Sequence, residues 1–358
     1  MTIIKNYEHK IASHCETGSV RNLLNYAGLE ITEPMVFGIG SGPAFFYLFF
    51  AKGPNGFPMI GIRNRPGSIL KNVAKYCDIG FFAKCFKNSD TGLLKAHEML
   101  AKQVPVAVIV DMFYMKYLPN FLHVHAPFHT VLLIGHEENT YVVSDPYSEQ
   151  IGRLEREDLI AAWETHAPMA KDNFLSYVKK LPKTINWKQA IKKAIRKTCN
   201  GMLLPPLANK LFSFVGVEGI RTYAKKIPKW PDQYRGVMLR EGIMFNAVGF
   251  EEQGTGGGAF RLMYGAFLQE VSKLFDSLEF AELAEKVIEH GELWRGISRK
   301  LIRVGKRIPL DDEAFDDWYS TNEDSLREGL AEISQLFKER AVFEQEFFLD
   351  LKMAATRL

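Results

Sequence analysis

Strand-forming sequence is confined to the first half of the chain, and this limits the folds that the chain can adopt. Val104–Val110 is a run of apolar, mostly β-branched residues, which is typical of a buried strand. His129–Gly135 and Thr140–Ser144 have the same character, and the polar turn between them predicts a β-hairpin. After about Tyr177 the apolar residues recur at helical spacing instead.

This change of periodicity predicts two domains of different class. A chain of 358 residues is about two average domains long. We therefore predict an α+β protein, with a mixed domain over residues 1–176 and a mostly α-helical domain over residues 182–358. The four cysteines show no paired short spacing, which argues against a disulfide scaffold or a zinc ribbon. They are Cys15, Cys77, Cys85 and Cys199.

The net charge of +3 is the sum of opposed blocks. Residues 1–175 carry 16 basic and 17 acidic side chains, a net of −1. Residues 179–240 carry 15 basic side chains against two acidic ones, a net of +13, and the remainder of the chain has a net of −9. Such asymmetry usually reports binding partners rather than the fold.

Neither a signal peptide nor a membrane span is expected. Met1–His14 is polar and lacks the apolar core of a signal sequence. The longest apolar run, around Ala44–Ala51, is far shorter than the roughly 18–20 residues that a membrane span needs. We therefore expect a cytoplasmic protein.

Three residues of the first domain have the chemistry of a nucleophile, a base and an orienting acid. Cys15 stands just before a predicted helix, whose N-terminus favours the thiolate. His129 opens one strand of the predicted hairpin, and Asp145 follows the other strand, so the two side chains can meet at one end. Together they predict covalent acyl transfer. A lone cysteine or histidine in such positions is more often structural, and only the joint pattern favours catalysis.

The motifs around these residues resemble two related groups of proteins. His14-Cys15-x-x-Gly18, His129-Thr-Val-Leu-Leu-Ile-Gly135 and Val142-Val-Ser-Asp145-Pro146 resemble papain-like folds of the bacteriocin-processing peptidase type. The chain as a whole resembles the butirosin biosynthesis protein H family nearly end to end. Supporting segments are Phe37-Gly-Ile-Gly-Ser-Gly42, Pro105-Val with Asp111 and Tyr117, the helix Leu154–Trp163, and Gly254-Thr-Gly-Gly-Gly-Ala-Phe-Arg261 with Tyr264 and Phe267-Leu268.

The resemblance implies a papain-like cysteine acyltransferase domain followed by the family's helical domain, which we expect to cover the active site. In that family an acyl group passes from the phosphopantetheine thioester of an acyl or peptidyl carrier protein to an amine, in natural-product and antibiotic biosynthesis. Carried over, Cys15 attacks the thioester, His129 acts as base and then acid, and Asp145 orients the imidazole. No bound cofactor is implied, because the carrier brings the phosphopantetheine.

The residues before Cys15 depart from the papain-like pattern. Papain-like proteases place a glutamine about six residues before the nucleophile as an oxyanion donor, whereas this position is His9 and no glutamine precedes Cys15. We expect the Cys15 backbone N–H to act with a His9, Asn6 or His14 side chain.

Substrate binding is predicted at the glycine-rich segment and at two residues of the first domain. Gly256 and Gly257 precede a predicted helix, where they either cradle an anion or form a tight turn that permits close packing. Arg261 and Tyr264 share a helix face and are expected to point into the acceptor pocket. Asp111 and Tyr117 complete the predicted set.

The basic block predicts a docking surface for an acidic carrier protein. Its strongest candidates are the doublets Lys192-Lys193 and Lys225-Lys226, although such lysines also form ordinary solvated faces. No nucleic-acid motif accompanies them, so nucleic acid is not expected.

A metal site is a weaker alternative for the histidine-rich segment. His123, His125 and His129 with Asp111 resemble a ligand set, but Pro127 interrupts the spacing and the resemblance assigns His129 to Cys15. We predict no metal.

The alternatives to an acyltransferase are a cysteine peptidase or amidase with the same triad, and a non-catalytic binding protein of the same fold.

Overall fold

The computed structural model describes residues 2–53, 56–167, 170–205, 211–252 and 254–358. The chain divides into two units, each drawn from separate stretches of sequence. The first unit consists of Met1–Gly40 with Pro66–Ala190, and the second of Ser41–Arg65 with Ile191–Leu358.

The strands are β1 (Thr2–Ile3), β2 (Pro43–Lys52), β3 (Pro58–Arg63), β4 (Gly80–Cys85), β5 (Val106–Val110), β6 (His129–Glu137), β7 (Thr140–Ser144), β8 (Gly152–Glu155) and β9 (Phe174–Lys180). The helices are α1 (Cys15–Tyr26), α2 (Glu33–Ile39), α3 (Ser68–Cys77), α4 (Ser89–Ala101), α5 (Arg156–Trp163), α6 (Trp187–Met202), α7 (Gly216–Lys226), α8 (Trp230–Gln233), α9 (Gly236–Glu251), α10 (Arg261–Phe275), α11 (Leu278–Arg307) and α12 (Asp312–Arg357).

The first unit is built on an antiparallel sheet with helices on both faces. Its strand order is β4–β9–β5–β6–β7–β8, and β1 pairs with β6. Every residue of β5 is buried, because alternate side chains enter opposite cores. Val106, Val108 and Val110 pack with α4 and α5, while Ala107 packs with Leu23 of α1.

The predicted hairpin is present, and one central strand was not predicted. Strands β6 and β7 pair around Glu138, which has a positive φ of 50° in the turn. Strand β9 lies between β4 and β5, so the predicted boundary near residue 176 falls inside a strand of the first unit. The sequence of β9 ends in two lysines, so its end cannot be distinguished from the basic block that follows.

The second unit contains the β2–β3 hairpin as well as the helices of the C-terminal half. The residues of this hairpin fall within the predicted first domain, residues 1–176. Its inward residues instead pack on helical residues of the second unit. The ring of Tyr47 lies 5.0 Å from that of Tyr223 on α7, and the ring of Phe45 lies 6.2 Å from that of Trp294 on α11. The fold class is therefore α+β, with a mostly helical second unit.

The C-terminal half is helical, as its apolar spacing predicts, and its last helix is α12. Asp311 caps α12 and accepts a hydrogen bond from the Glu313 N–H at 2.9 Å. Phe315, near the start of this helix, is buried. Within the described residues, no helix combines the length and the apolar character that crossing a membrane requires.

Candidate active site

Cys15 is the first residue of α1. His14 caps this helix, and its Nδ1 atom accepts a hydrogen bond from the Thr17 N–H at 3.3 Å. The Cys15 side chain is partly exposed, and its Sγ atom lies 4.0 Å from the Phe128 carbonyl oxygen, next to His129. The thiol therefore stands at a helix N-terminus, where the helix dipole favours a negative charge.

Gly18 allows α1 to approach the segment that carries Asp145. A Cβ atom at Gly18 would lie 2.4 Å from the Ala12 Cβ atom and 2.8 Å from the Pro146 Cβ atom. The Ala12 N–H donates a hydrogen bond to the Pro146 carbonyl oxygen at 2.8 Å. The glycine of the His14-Cys15-x-x-Gly18 motif thus permits close contact between the nucleophile's helix and the loop after β7.

His129 and Asp145 form a buried pair at the ends of β6 and β7. The His129 Nε2 atom lies 2.9 Å from the Asp145 Oδ2 atom, and both side chains are at most 4% exposed. With Nε2 engaged by Asp145, the other ring nitrogen, Nδ1, remains to act on Cys15. The prediction that the hairpin would bring these two side chains together is met by this distance.

The charges of the three side chains are coupled. Burial alone would lower the pKa of His129, but the Asp145 carboxylate and the Cys15 side chain outweigh it and raise that pKa to about 10. For Asp145, burial raises the pKa, yet His129 and hydrogen bonds from Tyr147 and Tyr117 lower it overall. The arrangement therefore favours a charged imidazolium paired with the Asp145 carboxylate, next to the Cys15 side chain.

Tyr117 contacts Asp145. Its hydroxyl donates a hydrogen bond to the Asp145 Oδ2 atom at 2.9 Å, and the Tyr147 N–H donates to Oδ1 at 2.9 Å. Gly152 leaves room for the Tyr117 ring, since a Cβ atom there would lie 2.7 Å from it. The structure thus gives Tyr117, predicted as a substrate contact, the geometry of a residue that orients Asp145.

His9 has partners other than an oxyanion. Its Nε2 atom lies 2.9 Å from the Ser148 carbonyl oxygen, which can only accept, so Nε2 carries the proton. Its Nδ1 atom then accepts from the Ser144 hydroxyl at 2.7 Å. Neither ring nitrogen of His9 has a further N–H for an oxyanion, whereas His14, the other predicted support, serves as the cap of α1.

Asp111 holds the loop that leads to His129. Its two carboxylate oxygens accept from the Phe113 N–H at 3.1 Å, the Ala126 N–H at 2.8 Å and His125 Nδ1 at 2.9 Å. His123 bonds to the Leu118 carbonyl oxygen, so the three histidines of this segment have three different partners. Among the described residues, no group of three or more potential ligands could hold a metal ion.

The glycine-rich segment forms a tight turn in the second unit. Gly256, Gly257 and Gly258 all have positive φ, which side chains rarely adopt. The Gly257 N–H donates to the Thr255 hydroxyl, and the Gly258 N–H donates to Glu251, both at 3.0 Å. The sequence left open an anion-binding loop or a tight turn that permits close packing. The geometry matches the tight turn, because the backbone N–H groups of Gly257 and Gly258 donate to the protein's own side chains.

Arg261 lies in a buried cluster of charged and aromatic residues. Its Nε and Nη2 atoms donate to the two oxygens of Glu344 at 2.7 and 2.9 Å, and its guanidinium covers the Trp294 ring. Burial alone would raise the pKa of Glu344, but Arg261 and His290 lower it to about 2. Tyr264 is fully buried beside a cavity with room for about one water molecule. Arg261 thus has its polar partners within its own unit, and Tyr264 packs in the core of the same unit.

The four predicted docking lysines lie on two helices. Lys192 and Lys193 are on α6, where the Lys192 Nζ atom donates to the Thr356 carbonyl oxygen at 2.9 Å and Lys193 is exposed. Lys225 is exposed at the end of α7, and the Lys226 Nζ atom lies over the Phe49 ring.

Sequence reasoning missed two glutamates beside Cys15. Glu33 accepts hydrogen bonds from the Ser13 and His14 N–H groups at 3.0 and 2.8 Å. Glu16 accepts from the Ile69 N–H at 3.1 Å, at the start of α3. The sequence shows Glu33 only as an acid in the first turn of a short helix, and no local pattern reveals that it reaches back across 19 residues.

A cysteine at the start of a helix, packed on an antiparallel sheet that supplies a histidine–aspartate pair, is the arrangement found in papain-like cysteine enzymes. Residues 157–349 match the family model named Domain of unknown function (DUF4872). Because this match spans more than half of the chain, the protein belongs to the DUF4872 family. Residues 14–146 match the model named Butirosin biosynthesis protein H, N-terminal, which confirms the resemblance stated from the sequence.

Similar solved structures include a protein described as a "putative C39-like peptidase from Bacillus anthracis". It is 17% identical, with a TM-score of 0.36, and the match covers 51% of this chain and 98% of that chain. No curated protein matches the chain.

Proposed function

We propose that the protein is a cysteine acyltransferase that makes an amide from a carrier-bound acyl thioester and an amine. The observation that carries this proposal is the buried His129–Asp145 pair beside the partly exposed Cys15 thiol. This arrangement suits acyl transfer through a covalent intermediate, because one imidazole can serve both half-reactions.

In the first half-reaction, the Cys15 sulfur attacks the thioester carbonyl carbon. The bond to the phosphopantetheine sulfur breaks, and His129 protonates that leaving thiolate. In the second half-reaction, the amine nitrogen attacks the acyl-enzyme and gives a proton to His129. The amide leaves and Cys15 is regenerated. Asp145 holds the imidazole through its 2.9 Å contact and stabilises its charged form in both steps.

The proposed donor is an acidic acyl or peptidyl carrier protein, and the proposed setting is natural-product assembly. The family named for butirosin biosynthesis protein H supports that setting. The net charge of +13 over residues 179–240 supports electrostatic attraction of an acidic carrier. Lys192, Lys193, Lys225 and Lys226 are the proposed contacts.

The test is to incubate the protein with an acylated carrier protein, and with a small acyl-pantetheine thioester, in the presence and absence of a panel of amines. Mass spectrometry should detect an acyl adduct on Cys15 and an amide product. Cys15→Ala should lower turnover by about 10⁴-fold or more, as removal of a covalent nucleophile does. Cys85→Ala is the matched control, since Cys85 is an exposed cysteine of the same unit.

Two results would contradict the proposal. If the acyl-enzyme forms but yields only free acid with every amine, the protein is a hydrolase of the peptidase or amidase type. If adduct or turnover persists in Cys15→Ala, then Cys15 is not the nucleophile.

A further inference from the structure

The turn that precedes Cys15 is held by a carboxylate from another helix. Glu33 lies in the first turn of α2, where Thr32 caps the helix and Pro34 follows. Its Oε2 atom accepts from the Ser13 N–H at 3.0 Å, and its Oε1 atom accepts from the His14 N–H at 2.8 Å. The Thr17 hydroxyl also donates to Oε1, at 2.8 Å. One side chain thus binds both residues before Cys15 and a residue of its first helical turn.

The peptide plane that carries the Cys15 N–H is held through the His14 carbonyl oxygen. This oxygen accepts from the Gly18 N–H at 2.9 Å. The Thr17 hydroxyl lies 3.1 Å from the same oxygen, but its one proton is accepted by Glu33 at the shorter distance of 2.8 Å. Since the peptide is planar, holding this carbonyl also sets the direction of the Cys15 N–H on the opposite side of the bond. Glu33 holds the same turn through the His14 N–H and the Thr17 hydroxyl, so its removal frees two of the anchors at once.

The remainder of the segment is held by separate contacts. Arg21 donates to the Lys10 and Ile11 carbonyl oxygens at 2.9 and 3.0 Å. The Ala12 N–H bonds to Pro146. These contacts hold residues 10–12, whereas Glu33 binds the backbone N–H groups of Ser13 and His14.

We propose that Glu33 is a positioning residue, which holds the turn before Cys15 and so sets the thiol against the His129 imidazole. The proposal rests on the proposed function in that Cys15 is the nucleophile. Displacing a reacting group by about 1 Å can cost about 100-fold in rate, so a side chain that fixes the nucleophile's turn contributes to catalysis without touching substrate.

The test measures the pH dependence of Cys15 alkylation by iodoacetamide. It uses the full chain in a Cys85→Ser background, because Cys77 and Cys199 are buried. The titratable or charged side chains around the turn are His14, Glu16, Arg21, Glu33 and His129. Glu33→Gln removes one acceptor oxygen, and Thr17→Val removes the hydroxyl that Glu33 accepts from. Glu30→Gln is the matched control, since Glu30 is exposed and three residues away.

We expect the pH midpoint of alkylation to rise by about one unit in Glu33→Gln and Thr17→Val, because a misplaced thiolate loses part of its attraction to the imidazolium. In turnover, kcat should fall by about 10- to 100-fold with KM nearly unchanged. Glu30→Gln should match the wild type in both measurements.

The other outcomes would overturn the proposal. A midpoint that falls would mean that Glu33 acts only as a repelling charge. An unchanged midpoint with a lowered melting temperature would mean that it only stabilises the fold. If Glu33→Gln does not fold, Thr17→Val decides, because it removes one hydroxyl and leaves the Glu33 carboxylate bonded to the Ser13 and His14 N–H groups. Alkylation of Cys15 needs neither a carrier protein nor an amine. The role of Glu33 can therefore be tested even if the proposed acyl transfer is not observed.

Discussion

Asp145 is the residue on which the geometry of the candidate site depends. It is fully buried, and its carboxylate accepts from the Tyr147 N–H, the Tyr117 hydroxyl and the His129 ring. A buried carboxylate is stable only when such donors satisfy it. The Tyr117 hydroxyl and the His129 imidazole share one oxygen, so the loss of Tyr117 would alter the bond that orients the imidazole.

We predict that Tyr117→Phe lowers both activity and stability. Removing a hydrogen bond to a buried charge costs about 1.5–3 kcal/mol, so the free energy of unfolding should fall by that amount in denaturant titrations. The acylation rate should fall about tenfold or more, since each 1.36 kcal/mol corresponds to a factor of ten. Tyr114→Phe, on the same loop, is the control. A Tyr117→Phe variant with wild-type acylation would show that Tyr147 and His129 suffice to orient Asp145.

At the level of elements, the site depends on how closely α1 approaches the loop after β7. A Cβ atom at Gly18 of α1 would lie less than 3 Å from both the Ala12 and the Pro146 side chains. These neighbours belong to the segment before Cys15 and to the loop after Asp145. The helix that carries the thiol and the loop that carries the carboxylate are therefore held together through this contact.

Gly18→Ala should destabilise the protein although alanine is the better helix former. The added methyl forces α1 away from Pro146, and overpacking of this kind costs about 1–3 kcal/mol. Gly296→Ala in α11 is the matched comparison, because nothing lies within 4 Å of a Cβ atom there. That variant should gain up to about 1 kcal/mol from helix propensity. Melting curves of both variants test the prediction, and equal shifts of the same sign would contradict it.

Sequence patterns predicted the elements whose signals are local. The apolar run of β5 and the hairpin that places His129 near Asp145 could be predicted, because the residues that specify such strands and turns are neighbours in the sequence. Strand β9 was not, since its place between β4 and β5 depends on pairing with distant segments. The contacts of Glu33 and Tyr117 were missed for the same reason, because each joins residues on different elements.

Across the whole molecule, the buried ionisable groups set how stability varies with pH. Burial lowers the pKa of His97 and of His136, whose rings stack 4.1 Å apart, so acid favours their unfolded, protonated forms below about 6.5. In contrast, His129 has a raised pKa of about 10, so its stabilising contribution is complete below 6.5 and is lost as pH rises towards 10. Asp145 and Glu344, whose pKa values are lowered, lose their contribution only in stronger acid.

We therefore predict greatest stability near pH 6.5 to 7, with losses on both sides. Denaturant midpoints measured from pH 4 to pH 10 would show this maximum. Asp145→Asn should flatten the alkaline side, because it removes the charge that raises the pKa of His129. The exposed Glu149→Gln should leave the curve unchanged. A wild-type midpoint that keeps rising to pH 10 would refute the assignment of a protonated His129 to the folded state.

The position of the β2–β3 hairpin in the sequence affects how the chain folds during its synthesis on the ribosome. Phe45 and Tyr47 leave the exit tunnel early, but their packing partners Tyr223 and Trp294 are translated some 175 to 250 residues later. At roughly 5–20 residues per second, these rings wait on the order of 10 to 50 s for their core. During this interval the aromatic side chains of β2 are exposed on the nascent chain. We expect chaperone binding to be most important at this stage of synthesis.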